Sequence, residues 1–413
     1  MKLNISYKRD SIPLEIDDKR IIKIVEANDV PFVNEEDVIR SGLDNPVGKY
    51  TFDSFLSECD KLLVIVNDGT RPTPTARVLK NIHSKLKDMD VQFIIATGVH
   101  RAPTNEEYRF IFGDLYDYYK DRILSHDARN DEMAYLGVSS NGTEMHINKL
   151  VTEYDKVMII GSVEPHYFAG FTGGRKSFLP GVSSYKTIEM NHKHALHSDA
   201  RALKLEGNPV HEDMIDALKT LNCDVFSIQA VLDKKHKIYG LTSGDINESF
   251  FRAIDKAEEI FVTEIPEKAD IVVSVAGYPM DVDLYQSQKA LDNGKLALKD
   301  GGILIMVSSC REGLGEEAFY ELLSSSETPA EVLEKIKENY VLGYHKAGKM
   351  AEVNLWADVR ACSDLPDELW KKIFIKPVRD LQKAVDDALK EKGPDAGIIL
   401  LTDGCMTVPK VEE

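Results

Sequence analysis

The sequence has little of what marks a secreted, membrane-spanning or metal-cluster protein. Its 413 residues include only five cysteines, which are scattered and odd in number. Since no two of them have the spacing of metal ligands, the pattern favours reduced, buried thiols in a cytoplasmic protein. No apolar run approaches the length that crosses a bilayer, and the N-terminus lacks the apolar region of a signal peptide. We therefore expect neither a membrane segment nor a membrane partner.

Positive charge is also in short supply. The chain has 51 Lys and Arg against 69 Asp and Glu, which gives a formal net charge of −18 at pH 7. A nucleic-acid partner requires an excess of cationic side chains to neutralise its phosphates. The composition therefore argues against nucleic acid as a partner, although it allows a local basic pocket for a small anion.

The common glycine signatures of nucleotide-binding folds are missing, since neither a Walker loop nor a G-x-G-x-x-G fingerprint occurs. Apolar runs instead alternate with helical patterns. Leu62–Val66, Val91–Ala96 and Val157–Ile160 are predicted strands, and Thr75–Met89 and Asn105–Tyr119 are predicted helices. The alternation predicts an α/β protein whose parallel sheets are flanked by helices. In such sheets, ligands bind beyond the carboxyl ends of the strands.

The length of the chain predicts two domains. We assign residues 1–264 to an N-terminal cofactor-binding domain and residues 265–413 to a C-terminal domain, with the active site in the cleft between them. The predicted strands of the second domain are Ile271–Val275, Ile303–Val307, Ile373–Ile375 and Ile398–Leu401. The last strand, within 397–413, either completes the second sheet or packs on the first domain, and the sequence leaves both alternatives open.

The densest group of chemically useful residues follows the apolar run 156–161. The segment Glu164–Ser177 combines His166, three glycines and an Arg-Lys pair, and His192 lies sixteen residues beyond Lys176. The imidazole can transfer protons, the lysine can act as a nucleophile or bind phosphate, and glycine lets a ligand approach the main chain closely. Packing explains such a segment poorly, so it predicts a ligand site.

Two further polar segments follow predicted strands. Asp68 and Arg71 lie just before the helix that starts at Thr75, and a helix N-terminus suits a phosphate or carboxylate. His100 follows the next strand in the same way as His166. Taken alone, each segment is compatible with an ordinary turn. Together the two histidines form a candidate acid–base pair facing a substrate from opposite sides, which a two-sided reaction such as racemisation requires.

In the second domain, Gln286 and Lys289 are three residues apart and share one helix face. There they could reach a carboxylate or a hydroxyl. The segment Gly343–Ala347 lies near a predicted helix start. Taken alone, the first segment is equally compatible with a solvated helix face, and the second is interpreted as a solvated helix terminus.

Together, these motifs resemble the nickel-dependent lactate racemase family. The matches occur in the family's order and cover essentially the whole chain. The stretch around His166 and Lys176 is the longest and most specific of them. The matching segments are Asp68–Pro72, Ala96–Arg101, Glu164–Gly181, Tyr185–Ile188 with Asn191-His192, and Tyr285–Lys289.

The resemblance implies a nickel-pincer nucleotide attached to Lys176 through a thioamide. It implies that His192 binds the nickel together with two sulfurs and a ring carbon of the cofactor. His100 and His166 would exchange the hydroxyl proton of the substrate. A hydride would move from the carbinol carbon to the cofactor and return to the other face of a 2-keto acid.

The resemblance also implies binding residues. Asp68, Gly69, Thr70 and Arg71 would contact the cofactor or substrate, and Tyr285, Gln286 and Lys289 would hold the substrate. In lactate racemases proper, a tryptophan corresponds to a position near His345, and neither tryptophan of this chain lies there. We therefore expect a racemase or epimerase acting on a 2-hydroxy acid larger or more polar than lactate, with His345 near that substrate.

Other functions stay open at this point. A pyridoxal phosphate racemase could use Lys176 as a Schiff base, and a non-catalytic member of the fold could bind a small anion. A nicotinamide-dependent dehydrogenase is disfavoured because its glycine fingerprint is missing. Under the nickel interpretation, cofactor-maturation proteins are expected partners, and Lys176 stays unmodified in protein made without them. The sequence leaves the oligomeric state open, a homo-oligomer included.

Overall fold

The computed structural model of the protein describes residues 1–57 and 59–412. Within these ranges the chain forms two compact units. The central unit is Asp29–Ile260, and the terminal unit combines Met1–Asn28 with residues 261–412. Each unit is built around its own six-stranded sheet.

The strands supply the framework of both units. In chain order they are β1 (Lys2–Tyr7), β2 (Asp10–Glu15), β3 (Ile21–Val25), β4 (Lys61–Asn67), β5 (Asp90–Ala96), β6 (Ile123–Ser125), β7 (Met133–Val138), β8 (Glu144–Asn148), β9 (Lys156–Ser162), β10 (Pro165–His166), β11 (Gly170–Phe171), β12 (Asp224–Leu232), β13 (Ile238–Gly244), β14 (Val262–Ile265), β15 (Ala269–Val275), β16 (Leu298–Val307), β17 (Asp358–Cys362), β18 (Lys376–Val378), β19 (Ile398–Leu401) and β20 (Val408–Val411).

Helices flank the strands in the sequence. They are α1 (Glu35–Asp44), α2 (Phe52–Ser57), α3 (Thr75–Leu86), α4 (Asn105–Phe112), α5 (Tyr116–Tyr119), α6 (Tyr185–Lys193), α7 (Pro209–Lys219), α8 (Ile246–Phe261), α9 (Leu284–Gly294), α10 (Glu317–Ser324), α11 (Pro329–Glu338), α12 (Tyr344–Asn354), α13 (Asp367–Lys371) and α14 (Leu381–Lys392). Within the described ranges, no helix combines the length and apolarity that a membrane span requires.

The sheet of the central unit has the strand order β13-β12-β9-β4-β5-β6. All neighbours are parallel except β12 and β13. The inner strands are continuous apolar runs because both of their faces are covered, and Leu62–Val66 is fully buried. The predicted α/β class, with parallel sheets flanked by helices, is confirmed.

The order of the strands brings three polar loops together. Strands β9, β4 and β5 are adjacent and parallel, so their carboxyl ends at Ser162, Asn67 and Ala96 lie along one edge of the sheet. Thr73 and Ser162 join two of the loops through a 2.8 Å hydrogen bond between their hydroxyls. The loops that carry Asp68, His100 and His166 therefore begin along one edge of the sheet.

Side-chain caps fix where the site helices begin. Ser184 accepts from the backbone N–H of Thr187 at the start of α6. Asn208 accepts from Val210 N–H at the start of α7, whose first residue is a proline. Both arrangements satisfy N–H groups that have no partner inside the helix, so they set the starting points of these helices.

The terminal unit contains a fully parallel sheet with the order β18-β17-β16-β15-β19-β3. Strand β3 comes from the N-terminal segment and forms one edge beside β19. The hairpin of β1 and β2 contributes Ile5 and Leu14 to the same buried cluster as Ile271 and Ile398. Strand β20 pairs with β14 in a separate two-stranded sheet.

The structure therefore divides the chain differently from the predicted boundary after residue 264. Residues 1–28 belong to the terminal unit, because β3 pairs with β19 and the hairpin side chains fill that unit's core. The open question about 397–413 is also answered for its described part. Strand β19 lies inside the second sheet, and β20 pairs within the same unit.

Two predicted elements are also corrected. Ile373–Ile375 is not a strand, because Phe374 has a positive φ of 66° and the strand begins only at Lys376. A helix predicted over Asn105–Tyr119 is interrupted, because Gly113 takes a φ of 57° and caps α4. In both cases one residue with a left-handed backbone ends a regular segment that the apolar pattern alone would continue.

The assignment of the N-terminal hairpin can be tested by removing one buried side chain. Leu14 is 1% exposed, so Leu14→Ala should lower the free energy of unfolding by about 3 kcal/mol. Amide hydrogen exchange should accelerate in β15 and β19 and stay unchanged in β4 and β5. Leu124→Ala, at a side chain that is 50% exposed, is the matched control and should change neither quantity much. Faster exchange confined to β4 and β5 would contradict the assignment.

Candidate active site

His100 is held by a buried carboxylate at the edge of the central sheet. Its Nδ1 lies 2.7 Å from Asp68 Oδ2, and Thr70 Oγ1 donates to the other carboxylate oxygen at 2.7 Å. Burial disfavours the charged form of Asp68, but these hydrogen bonds and the nearby Arg71 charge outweigh it and lower its pKa. An ionised carboxylate only accepts, so His100 Nδ1 must donate. The neutral ring therefore keeps its lone pair on Nε2, as a base requires.

The rest of the Asp68–Arg71 loop is tied to its neighbours. A Cβ at Gly69 would lie 2.8 Å from Glu107 Cγ, so the loop packs closely on α4. Arg71 reaches towards the buried Glu164, with 3.7 Å between Nη1 and Oε1. Glu164 lies two residues before His166, so this ion pair joins the loop after β4 to the segment after β9.

His166 stands on a small hairpin in which β10 pairs with β11. Its Nδ1 accepts a hydrogen bond from the backbone N–H of Ala169 at 3.2 Å. Because that partner can only donate, Nδ1 carries no hydrogen, and the neutral ring has its hydrogen on Nε2. The hydrogen bonds thus assign opposite tautomers to His166 and His100: Nε2 is a donor in His166 and an acceptor in His100.

One aromatic ring brings three of the predicted residues together. The centroid of the Phe168 ring is 4.5 Å from that of His166 and 5.1 Å from that of His192. Lys176 Nζ lies 5.5 Å from the same centroid. Phe168 has no predicted role. Its position in the sequence, close to His166 and before Lys176 and His192, is the feature that could have identified it as a site residue.

His192 is neutral at physiological pH. Burial, followed by the positive charge of Lys176, lowers its pKa to about 3. Its Nδ1 lies 3.2 Å from Asn191 Oδ1 on the same helix. A neutral imidazole is the form that binds metal ions, so His192 is suited to a ligand role.

Two glycines of this segment are required by the protein's own packing. Gly170 has a φ of 75°, and a Cβ there would lie 2.5 Å from the carbonyl oxygen of Lys204. Gly173 has a φ of 84°, and a Cβ there would lie 2.6 Å from Val163 Cγ2. At these positions the space expected for a ligand is filled by protein atoms, so larger residues would displace the loop.

Arg175 and Lys176 are neighbours with different environments. Arg175 is fully buried and donates from Nη2 to the Ala169 carbonyl at 2.8 Å and from Nε to His211 Nδ1 at 3.1 Å. Its guanidinium also lies 4.2 Å from the centre of the Phe250 ring. Lys176 is only partly buried. Arg175 therefore holds the loop in place, and its neighbour remains accessible for chemistry.

The substrate-binding candidates of the terminal unit begin helix α9. Asp283 caps this helix by accepting from Gln286 N–H at 2.6 Å, which fixes the turn carrying Tyr285 and Gln286. Lys289 lies one turn further along. Lys346 on α12 hydrogen-bonds the Tyr285 carbonyl, and its Nζ lies 3.5 Å from the centre of the Tyr285 ring.

The interpretation of Gly343–Ala347 as a solvated helix end is wrong, although α12 does begin at Tyr344. His345 and Lys346 are only 3% and 4% exposed. His345 Nδ1 lies 2.9 Å from the hydroxyl of Tyr340. Burial, followed by the charge of Lys289, lowers the pKa of Lys346 well below its usual value. The available sequence signal was the set of small or apolar residues after it, namely Ala347, Gly348, Met350 and Ala351, which only Lys349 interrupts.

Fold and site define an α/β enzyme of two units, with two histidines in opposite tautomers, a half-buried neutral histidine and an accessible lysine. Models of known families match both parts of the chain. The lactate racemase N-terminal domain matches residues 7–204, and the lactate racemase C-terminal domain matches residues 264–408.

Individual relatives agree with the family models. The lactate racemase of Thermoanaerobacterium thermosaccharolyticum is 33% identical, over 98% of each chain. That of Lactiplantibacillus plantarum is 30% identical, over 99% of each chain. The apoprotein structure from the former organism superimposes with a TM-score of 0.92 at 32% identity, covering 99% of this chain and 100% of that one. The chain therefore belongs to the lactate racemase family and is an isomerase of the racemase type.

A more distant solved structure shares the fold alone. A protein from Thermotoga maritima matches with a TM-score of 0.69 at 18% identity. The match covers 92% of this chain and 99% of that one. The architecture is thus kept where most of the sequence differs.

The contact between Arg175 and His211 makes stability depend on pH. Burial, with the Arg175 charge, lowers the pKa of His211 to about 3. An unfolded histidine has a pKa of about 6.5, so below that pH the unfolded chain binds a proton that the native chain does not. The stability contributed by this neutral group is complete above about pH 6.5 and is lost as the pH falls towards 3.

His211→Gln keeps a hydrogen-bond acceptor but does not titrate. Between pH 7 and pH 5, its free energy of unfolding should fall less than that of the wild type, by about 2 kcal/mol at most. Denaturant titrations at the two pH values measure the difference. The exposed-residue control, His236→Gln, should follow the wild type. Identical pH dependence in all three proteins would show that the pKa of His211 is not lowered in the native state.

Proposed function

We propose that the protein is a racemase or epimerase of a 2-hydroxy acid other than lactate and that it uses a nickel-pincer nucleotide. The observation that carries the proposal is the arrangement of His166, Lys176 and His192 around Phe168, in a chain of the lactate racemase family. His166 is an acid–base group, Lys176 is the covalent anchor, and His192 is the metal ligand.

The residues of the central unit fit such a cofactor. Lys176 is accessible while its neighbour Arg175 is locked by buried hydrogen bonds, so the anchor stands on a fixed loop. His192 is neutral, and imidazole with sulfur ligands suits nickel. The Asp68–Arg71 loop leads to the N-terminus of α3, where N–H groups and the dipole favour a phosphate. When bound, the cofactor supplies a centre that accepts a hydride and returns it.

The two histidines handle the hydroxyl proton. His100 takes this proton on Nε2, and the ionised Asp68 stabilises the imidazolium that forms. His166 donates a hydrogen bond from Nε2 to the substrate oxygen. Loss of the proton and the hydride leaves a planar 2-keto acid. Return of the hydride to the opposite face of the carbonyl carbon, and of a proton to its oxygen, gives the other configuration.

The terminal unit supplies the substrate ligands in this proposal. Lys289 pairs with the carboxylate, and Tyr285 and Gln286 contact substrate oxygens. His345 replaces an apolar wall by an imidazole that is already paired with the Tyr340 hydroxyl. A polar pair of this kind favours a substrate whose side chain is larger than a methyl group and can form hydrogen bonds.

The proposal includes partners and a location. The cofactor-maturation proteins load Lys176, and the protein works in the cytoplasm, where its cysteines remain reduced. Three of these cysteines are buried, namely Cys310, Cys362 and Cys405.

The cofactor assignment can be tested by intact mass and metal analysis. Protein produced together with the maturation proteins should carry an adduct on Lys176 and about one nickel per chain. Lys176→Arg keeps the charge and should lose the adduct and the activity, because arginine cannot form the thioamide. Unmodified Lys176 under these conditions would refute the nickel proposal. Reduction by borohydride of a Lys176 imine would support the pyridoxal alternative instead.

The substrate assignment can be tested by competition between hydroxy acids. The nickel-loaded wild type should have a higher kcat/KM with malate, longer aliphatic or sugar-derived hydroxy acids than with lactate. His345→Trp should shift this ratio towards lactate by about 10-fold or more, since filling a pocket by a few methylenes changes discrimination on that scale. His146→Trp, on the β7–β8 hairpin, is the control and should leave the ratio unchanged. A wild type that prefers lactate would refute the assignment.

A further inference from the structure

A buried chain of hydrogen bonds runs from helix α7 to His192. Asp213 is fully buried and accepts from Asn191 Nδ2 at 2.9 Å. It also accepts from the Ser139 hydroxyl. Asn191 is fully buried as well, and its Oδ1 lies 3.2 Å from His192 Nδ1.

The partners of Asn191 fix the orientation of its amide. Nδ2 faces the Asp213 carboxylate and the Val210 carbonyl, which lies 3.3 Å away. A carbonyl only accepts, so the amide nitrogen must point to this side and the amide oxygen to His192. An amide turned by 180° would set its oxygen against two acceptors inside the protein, where unpaired polar groups are costly.

The orientation of Asn191 determines where the hydrogen of His192 resides. Asn191 Oδ1 only accepts, so His192 Nδ1 must donate to it. The neutral imidazole therefore carries its hydrogen on Nδ1 and its lone pair on Nε2.

We propose that Asp213 and Asn191 are positioning residues that lock His192 in the Nδ1–H tautomer, so that Nε2 is the nitrogen presented to nickel. This inference rests on the proposed role of His192 as a nickel ligand. Metal-binding histidines depend on a hydrogen-bond partner at the other ring nitrogen, which fixes both tautomer and ring orientation. Here that partner is an amide, and Asp213 prevents the amide from turning.

Asp213→Asn tests this positioning role with little change in the shape of the side chain. The new amide can donate to Asn191, which removes the stronger of the two acceptors that oppose turning of the Asn191 amide. A turned amide would donate to Nδ1 and favour the Nε2–H tautomer of His192. The control is Asp216→Asn on the same helix. Asp216 accepts from Ser140 in the way that Asp213 accepts from Ser139, and it can therefore report on loss of a serine contact alone.

The first measurement is nuclear magnetic resonance of protein with 15N-labelled histidine, made without the maturation proteins. His192→Gln identifies the His192 signals. The wild type and Asp216→Asn should show the Nδ1–H tautomer near pH 7, and Asp213→Asn should show a substantial Nε2–H population. A wild type with Nε2–H, or an Asp213→Asn protein with Nδ1–H only, would overturn the lock. The wild-type spectrum decides even where Asp213→Asn fails to fold.

The second measurement is nickel retention by loaded protein against a chelator. Asp213→Asn should retain nickel about 10- to 100-fold less tightly than the wild type, and Asp216→Asn should match the wild type. Unchanged retention in Asp213→Asn would overturn the role of the lock. Failure of the proposed function can be distinguished from failure of the positioning role. In that case the wild type itself would hold neither nickel nor an adduct on Lys176, whatever the tautomer of His192.

Discussion

The central site depends on the hydrogen bonds that the buried guanidinium of Arg175 donates. A charge without access to water is tolerated only when its donors are satisfied, and here backbone carbonyls and an imidazole satisfy them. Burial lowers its pKa to about 9, so the group is still charged at neutral pH. Those carbonyls belong to the turn between Phe168 and Lys176. The same hydrogen bonds thus fix the Phe168 ring, which lies beside both histidines, and the backbone of Lys176.

Helix α7 links this interaction to the other half of the site. His211 accepts from Arg175, and Asp213, two residues later, accepts from Asn191. Residues two apart in a helix point in different directions, so one helix can hold both partners from different faces. Lys176, the proposed anchor, and His192, the proposed ligand, are each adjacent in sequence to a residue held by α7. The rigid helix therefore limits how far these two can move relative to each other.

The sequence predicts the parts of this arrangement that depend on local pattern. Continuous apolar runs identify β4, β5 and β9, and the polar loops that follow them carry His100, His166 and the Asp68 segment. The rest depends on contacts between distant residues. The pairing of Ile24 with Leu400 has no local signature in the sequence. The sequence pattern therefore places the N-terminal strand in the first domain, whereas the structure places it in the terminal unit. From the sequence, Lys346 is interpreted as solvated, because its burial depends on packing that no local pattern shows. His211 and Asp213 belong to no motif, since their roles exist only through their partners.

The hydrogen bonds also make the two histidines that we propose as acid–base groups, His100 and His166, unequal. In the proposed reaction, the hydroxyl of one enantiomer lies towards His100 and that of the other towards His166. His100 can accept a proton at Nε2 without any change of its bond to Asp68. His166 can accept at Nε2 only after its hydrogen moves to Nδ1, which breaks the bond from Ala169. That change also sets Nδ1–H against the N–H of Ala169, so acceptance by His166 has a cost that acceptance by His100 does not have. For a simple racemisation the enantiomers have equal free energies, so any difference in kcat between the two directions must be matched by KM. The asymmetry of the site can change how fast each enantiomer reacts and how tightly it is held, but not their final ratio.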